Sequence, residues 1–152
     1  MIRVQREDFD VGREIAHLTA GRTDIGGLGC FVGLVRAHEA AEPADGQAMT
    51  LEHYPGMTEK QLAAIEAEAH QRWPLLGTTI IHRYGRLVPG EQIVLVLAAS
   101  RHRQAALDAT GFLIDWLKTR APFWKLEETS QGSQWVAAKS SDDAAAQRWT
   151  NS

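Results

Sequence analysis

Pro122 divides the stretch of this chain that most constrains its fold. Before it, Phe112, Leu113, Trp116 and Leu117 recur at helical spacing, and after it Phe123-Trp124-Lys125-Leu126-Glu127-Glu128 alternates. Proline has no N–H to donate and biases the preceding residue away from helix, so a helix stops here and a strand begins. Period-2 alternation then puts Phe123, Lys125 and Glu127 on one face of that strand. The corner carries Lys118 on its helical side and Lys125 on its strand side. Lysine is scarce: Lys60, Lys118, Lys125 and Lys139 are the only four, against twelve arginines. A desolvated lysine can lose its proton and act as acid, base or nucleophile, which arginine cannot. The corner is the first place to seek chemistry.

The remaining pattern predicts an α+β chain. Met1 to Arg6, Leu28 to Arg36, Ala48 to His53, Thr78 to Leu87, Gln92 to Ala98 and Gln134 to Val136 read as strands. Ala40 to Gln47 reads as a surface loop. Tyr54-Pro55-Gly56-Met57 reads as a turn, after which Thr58 can cap a helix with Gln61 at capping-box spacing. Leu62, Ile65, Ala69 and Trp73 give that helix one apolar stripe, and Pro74 stops it. Pro89-Gly90 fits the centre of a type II turn. Ser100 is placed to cap the second long helix, which runs to about Arg120. A short helix begins near Ser141-Asp142. Two helices set among strands joined by hairpin turns suit a single α+β domain over residues 1–152.

Several function classes are excluded or disfavoured. No apolar run approaches the roughly 20 residues that span a bilayer, and the N-terminus lacks a signal core, so a cytoplasmic location is expected. Cys30 is alone, which removes internal disulfides and C-x-x-C redox or zinc sites. The histidines show no metal-ligand spacing, and no metal or cofactor is expected. Gly26, Gly27, Gly29 and Gly33 precede a strand and do not form a dinucleotide fingerprint. A net charge of −3 disfavours general nucleic-acid binding.

Charge distribution says more than the total. Ala37 to His70 holds seven acids and one lysine, whereas His82 to Lys125 holds seven Lys/Arg and three acids, Glu91, Asp108 and Asp115. A basic half on an acidic chain suggests a localised anion site. Arg101-His102-Arg103 opens the second long helix, where the macrodipole already favours anions, so a bound phosphate would resolve the local conflict. The plain alternative is three solvated cations. Lys118 and Arg120 also have a structural explanation, because cations suit a last helical turn and Asp115 is placed to pair with Lys118. Lys125 with Glu127 is either a surface ion pair or a tuned active lysine.

Taken together, Leu51-Glu52-His53-Tyr54-Pro55-Gly56-Met57-Thr58, His82-Arg83-Tyr84-Gly85, Pro89-Gly90-Glu91, His102-Arg103 and Lys118 through Lys125 resemble the large, catalytic subunit of molybdopterin synthase. The match runs in order from about Gly27 to Trp149. The resemblance implies an α/β-hammerhead fold and a dimer of large subunits within a heterotetramer. Each would bind a ubiquitin-like small subunit with a C-terminal Gly-Gly thiocarboxylate. It further implies sulfur transfer to cyclic pyranopterin monophosphate, forming the dithiolene of molybdopterin. By position, Lys118 and Lys125 match the active-site lysines. Val35, Arg36, His102 and Arg103 match the substrate pocket, with Leu126 and Glu127 bordering it. Leu34 departs from the pattern, standing where many members carry a polar or basic residue.

One rival class stays open at this point: a non-catalytic module holding a phosphorylated small molecule or a partner's C-terminal carboxylate. Geometry adds a constraint on either reading. A straight helix from Arg101 to Lys118 is about 25 Å long by its rise per residue, so His102 and Lys118 of one chain do not reach the same small substrate.

Overall fold

The computed structural model describes residues 1–37, 46–129, 132–136 and 140–150. In chain order the elements are β1 (Ile2–Gln5), α1 (Val11–Thr19), β2 (Gly27–Leu34), β3 (Ala48–His53), α2 (Met57–Arg72) and β4 (Leu75–Arg83). They continue as β5 (Gly85–Leu87), β6 (Gln92–Ser100), α3 (Arg103–Arg120), β7 (Phe123–Thr129), β8 (Gly132–Val136) and α4 (Ser140–Gln147). The strands form two four-stranded sheets, β1-β4-β6-β2 and β5-β3-β7-β8. Only the β1–β4 pair is parallel among the described residues. The α+β expectation holds.

The first sheet is covered on both faces, which explains why β6 reads as a continuous apolar run. Val94, Val96 and Ala98 join Leu62, Ile65, Ala69, Phe112, Leu113 and Leu117 of α2 and α3 in the main core. Leu95 and Leu97 point the other way, against Phe9 and the α1 side chains Val11, Ile15 and Leu18. The Leu62, Ile65 and Ala69 stripe expected of α2 is fully buried. Helix α3 lies close on β2 because Gly29 presents no side chain there. A Cβ at that position would collide with the Thr110 hydroxyl and approach the Ala106 carbonyl to 2.5 Å.

The structure corrects several local expectations. Helix α1 was not foreseen, although the Asp10 side chain caps it by accepting from the Arg13 N–H at 2.9 Å. Helix α2 starts at Met57, with Gly56 at its N-cap in the left-handed region (φ 84°). Glu59 takes up the Gly56 N–H at 2.6 Å, so Thr58 is freed from capping. Ser100 does not cap α3 either. It ends β6, fully buried, and donates to the Pro74 carbonyl at 3.0 Å, while His102 occupies the N-cap without a side-chain bond.

The run read as one strand from Thr78 to Leu87 is two. It breaks at Tyr84, where Gly85 adopts φ 93°, and β4 and β5 then belong to different sheets. The Arg83 guanidinium fastens this seam, donating to the Arg6 carbonyl at 3.0 Å and the Gln92 carbonyl at 2.8 Å. Gly90 (φ 95°) supplies the expected turn between β5 and β6. Asp115 is held by Arg148 and by the Trp149 indole N–H, both at 2.7 Å. Its carboxylate thus docks the C-terminal segment on α3. Of the Ala40–Gln47 loop, the part up to Asp45 lies outside the described residues.

Candidate active site

The Pro122 corner is clamped from three sides. Lys118 leaves the last turn of α3, and Arg120 ends that helix. The Phe123 N–H donates to the Ala121 carbonyl at 2.9 Å, tightening the turn around the proline. Thr58, fully buried in the first turn of α2, donates its hydroxyl to the Pro122 carbonyl at 3.2 Å and accepts from the Tyr54 N–H at 3.1 Å. Strand β7 then runs antiparallel to β3, with Phe123 opposite His53, Lys125 opposite Leu51 and Glu127 opposite Met49. The expected shared face of Phe123, Lys125 and Glu127 is therefore the face that meets buried Leu51 and Met49.

An imidazole and aromatic cluster sits at this corner, and no local sequence signal announced it. His82, at the end of β4, lies flat on Phe123 with ring centroids 3.8 Å apart and planes inclined by 19°. His53 packs on Tyr84 at 4.3 Å and reaches Phe123 at 6.4 Å, while its Nε2 lies 3.8 Å from Glu59. The His82 Nδ1 donates to the Arg83 carbonyl at 2.8 Å, which fixes the neutral tautomer and leaves Nε2 as an acceptor. Burial pushes the His82 pKa down to about 3. The Arg83 carbonyl opposes that shift, and the charges of Lys118 and His53 add to it. His82 is thus uncharged at neutral pH beside the Lys118 ammonium.

Both lysines belong to the elements that meet at this stack. Lys118 acts on His82 through its charge, and Lys125 lies two residues beyond Phe123 on the same strand face. Lys125 Nζ is 3.1 Å from Glu127 Oε1, with the lysine side chain 36% exposed and the glutamate 12%. The ammonium is accessible while its partner is held. Leu126 alternates to the opposite face, opposite Trp135, so only its backbone adjoins the lysine side. Val35 is buried in the core cluster that holds Leu51 and Leu117, the neighbours of Lys125 and Lys118. Arg36 follows it, exposed, beyond the end of β2. His102 and Arg103 are exposed at the far end of an unbroken 18-residue helix, about 24 Å from Lys118.

Cys30 is on β2, on the sheet face that carries Leu28 and Val32 rather than the α3 face of Gly29. Partial burial pushes its thiol pKa up, which disfavours a thiolate nucleophile. Among the described residues no group of three His, Cys, Asp or Glu side chains is arranged to hold a metal ion, and no helix is long and apolar enough to cross a membrane. The corner therefore offers cations, neutral imidazole and a held carboxylate.

Comparison with known proteins identifies the family of the chain. The MoaE protein family pattern matches residues 4–120. The chain belongs to the MoaE family. It is 57% identical over 148 residues to the molybdopterin synthase catalytic subunit of Pseudomonas aeruginosa, covering 97% of each chain. The solved MoaE protein of Burkholderia ambifaria superposes with a TM-score of 0.81 at 51% identity, covering 98% of this chain and 97% of that one. The fold also matches the complex of subunits 1 and 2 of the molybdopterin-converting factor of Helicobacter pylori. There the TM-score is 0.71 at 18% identity, with 91% and 90% of the chains covered. As a MoaE-family catalytic subunit, the chain is a sulfurtransferase of molybdenum cofactor biosynthesis.

Proposed function

We propose that this chain transfers sulfur from the C-terminal thiocarboxylate of a ubiquitin-like small subunit to cyclic pyranopterin monophosphate, in two successive steps that build the dithiolene. The observation that supports the reading is the Pro122 corner, where one clamped turn joins the helix of Lys118, whose charge acts on His82, to the strand that carries Phe123 and Lys125 on one face. Lys118 steers the thiocarboxylate and assists proton transfer. Lys125, oriented by Glu127, stabilises negative charge developing on the pterin during addition and loss of oxygen. In each step sulfur leaves the acyl carbon for a pterin-derived carbon, and oxygen takes its place on the partner's carboxyl group. No redox partner is required by that exchange.

Arg36, His102 and Arg103 bind the phosphate, with Val35, Leu126 and Glu127 bordering the pterin. The length of α3 supports a homodimer here: His102 and Arg103 serve a lysine corner only when a second copy brings them to it. The subunit pair seen in the Helicobacter pylori protein supports a small-subunit partner, which gives a heterotetramer of two large and two small subunits. A cytoplasmic location belongs to the same reading.

Reconstitution with a thiocarboxylated small subunit and the pyranopterin tests it. Lys118→Ala and Lys125→Ala are expected to abolish dithiolene formation while the chain still folds. Near-normal formation by either variant overturns the assignment.

A further inference from the structure

We propose that His82 is a positioning residue for the sulfur transfer: its ring, held in one orientation by the main chain, sets the plane of Phe123 and so aims the strand that carries Lys125. The two residues differ in how firmly they are held. His82 is 4% exposed on β4, an inner strand, where it pairs with Val4 of β1 on one side and Val94 of β6 on the other. Its Nδ1 donates to the Arg83 carbonyl at 2.8 Å, and the Arg83 guanidinium is itself bonded to the Arg6 and Gln92 carbonyls. Phe123 is partly exposed and opens β7. Among the described residues it pairs only with His53 of β3, because the β8 pairing begins at Lys125. Of the two stacked rings, 3.8 Å apart, the imidazole is the fixed one and the phenyl the one that is placed.

Packing alone does not call for a histidine here. A leucine would fill such a position without taking two ring nitrogens out of water, a transfer that costs free energy unless each is hydrogen-bonded. What the imidazole adds is a flat, rigid surface whose rotation the Arg83 bond stops, and a neighbouring aromatic ring takes its own orientation from such a surface. Burial keeps the ring neutral, with its pKa down to about 3, so it offers orientation rather than acid or base chemistry. Lys118 acts on the same ring through its charge, so both lysine-bearing elements converge on it.

From Phe123 the effect passes along β7. Lys125 lies two residues on, about 7 Å away by the rise of a strand, and on the same face. Pro122, whose carbonyl accepts from Thr58, fixes the chain just before Phe123 and leaves its ring to be set by His82. A misplacement of about 1 Å at a reacting group can cost about a hundredfold in rate. This step rests on the sulfur-transfer reading above.

Two substitutions separate the ring from its bond. His82→Asn retains an N–H for the Arg83 carbonyl and removes the ring from Phe123, whereas His82→Phe retains a ring and removes the N–H. The single-turnover rate of transfer, at saturating thiocarboxylated small subunit and pyranopterin, is expected to fall about tenfold or more in His82→Asn. The KM for the pyranopterin and the affinity for the small subunit are expected to stay within about twofold. His82→Phe is expected to recover most of the rate although its Tm is the lower of the two, because the Arg83 carbonyl is left unpaired. Activity then follows the ring and stability the bond, a split that a merely structural histidine does not give. Amide exchange at Phe123, Trp124 and Lys125 is a readout independent of turnover, expected to quicken in His82→Asn while that of β6 is unchanged. The original rate in His82→Asn, or rates that track Tm in both variants, overturns the proposal. Should His82→Asn not fold, a loss of about tenfold in a folded His82→Phe overturns it instead. If the unmodified pair makes no dithiolene, the sulfur-transfer reading fails, and the exchange rates alone decide whether His82 holds the strand.

Discussion

His82 and Phe123 stack face to face at 3.8 Å across the seam between the two sheets, and burial at that seam, helped by the charge of Lys118, keeps the histidine uncharged. A protonated His82 would repel Lys118 and would strand a charge in the core. The stack supports the start of β7, and through it the turn that separates the two lysines.

Acid sensitivity follows from the same histidine. Its folded pKa, about 3, lies below the value near 6.5 that it regains on unfolding, so the unfolded chain binds the extra proton. The contribution of neutral His82 is complete above about pH 6.5 and is lost as pH falls toward 3, at about 1.4 kcal/mol per unit. Urea unfolding at pH 7, 6 and 5 should show that loss. A His82→Leu variant should lose distinctly less between pH 6 and 5, before most carboxylates titrate. Parallel slopes for the two proteins would count against a buried neutral imidazole.

Gly29→Ala tests the close contact of α3 with β2. The added methyl meets the Thr110 hydroxyl, which is itself held by the Ala106 carbonyl at 2.7 Å and cannot swing aside freely. Overpacking of this kind costs about 1–3 kcal/mol. The expected fall in Tm is about 2–4 °C for each kcal/mol in a chain of this size, read by calorimetry. An unchanged Tm would show that the helix moves off without penalty.

Thr58→Val removes the hydroxyl that bridges Tyr54 and Pro122 while conserving shape. Two backbone groups lose a partner in a fully buried setting, at about 1–3 kcal/mol. Turnover should fall more than the affinity for the small subunit changes, because the loosened element is the corner that sets the lysines. Equal loss in both would point to a general softening of α2.

How much of this was legible beforehand depends on the range of the interaction. The Pro122 switch, the β7 face of Lys125 and Glu127, and the α2 stripe are local patterns, and each was readable from a short window. Thr58 and Ser100 looked like helix caps because their types and positions suit that role. Each instead spends its hydroxyl on a distant carbonyl, of Pro122 or Pro74, which no window around it contains. The apparent strand from Thr78 to Leu87 kept its β character across Tyr84, so nothing local marked the change of sheet, although Gly85 was available to make it. His53 and His82 lie 29 positions apart on different sheets and meet only at the seam. Helix α1 had a readable signal in Asp10 followed by Val11, Ile15 and Leu18, and that signal is short.

In the proposed mechanism Glu127 separates catalysis from stability. Its pair with Lys125 spans 3.1 Å, and the lysine is more than one third exposed, so solvent screening limits the pair to under about 1 kcal/mol of stability. Glu127→Gln retains an oxygen to accept from Lys125 and removes the negative charge that holds the ammonium in place. The expected outcome is a Tm within a few degrees of the original and dithiolene formation reduced about tenfold or more, the usual scale for a misplaced acid–base group. Lys125→Arg should fail to restore activity in either background, since guanidinium keeps charge without a transferable proton. Single-turnover transfer from the thiocarboxylated small subunit, followed alongside thermal unfolding, measures both quantities on one preparation. If Glu127→Gln transfers sulfur at the original rate, the pair is a surface ion pair and Lys125 needs no carboxylate to orient it.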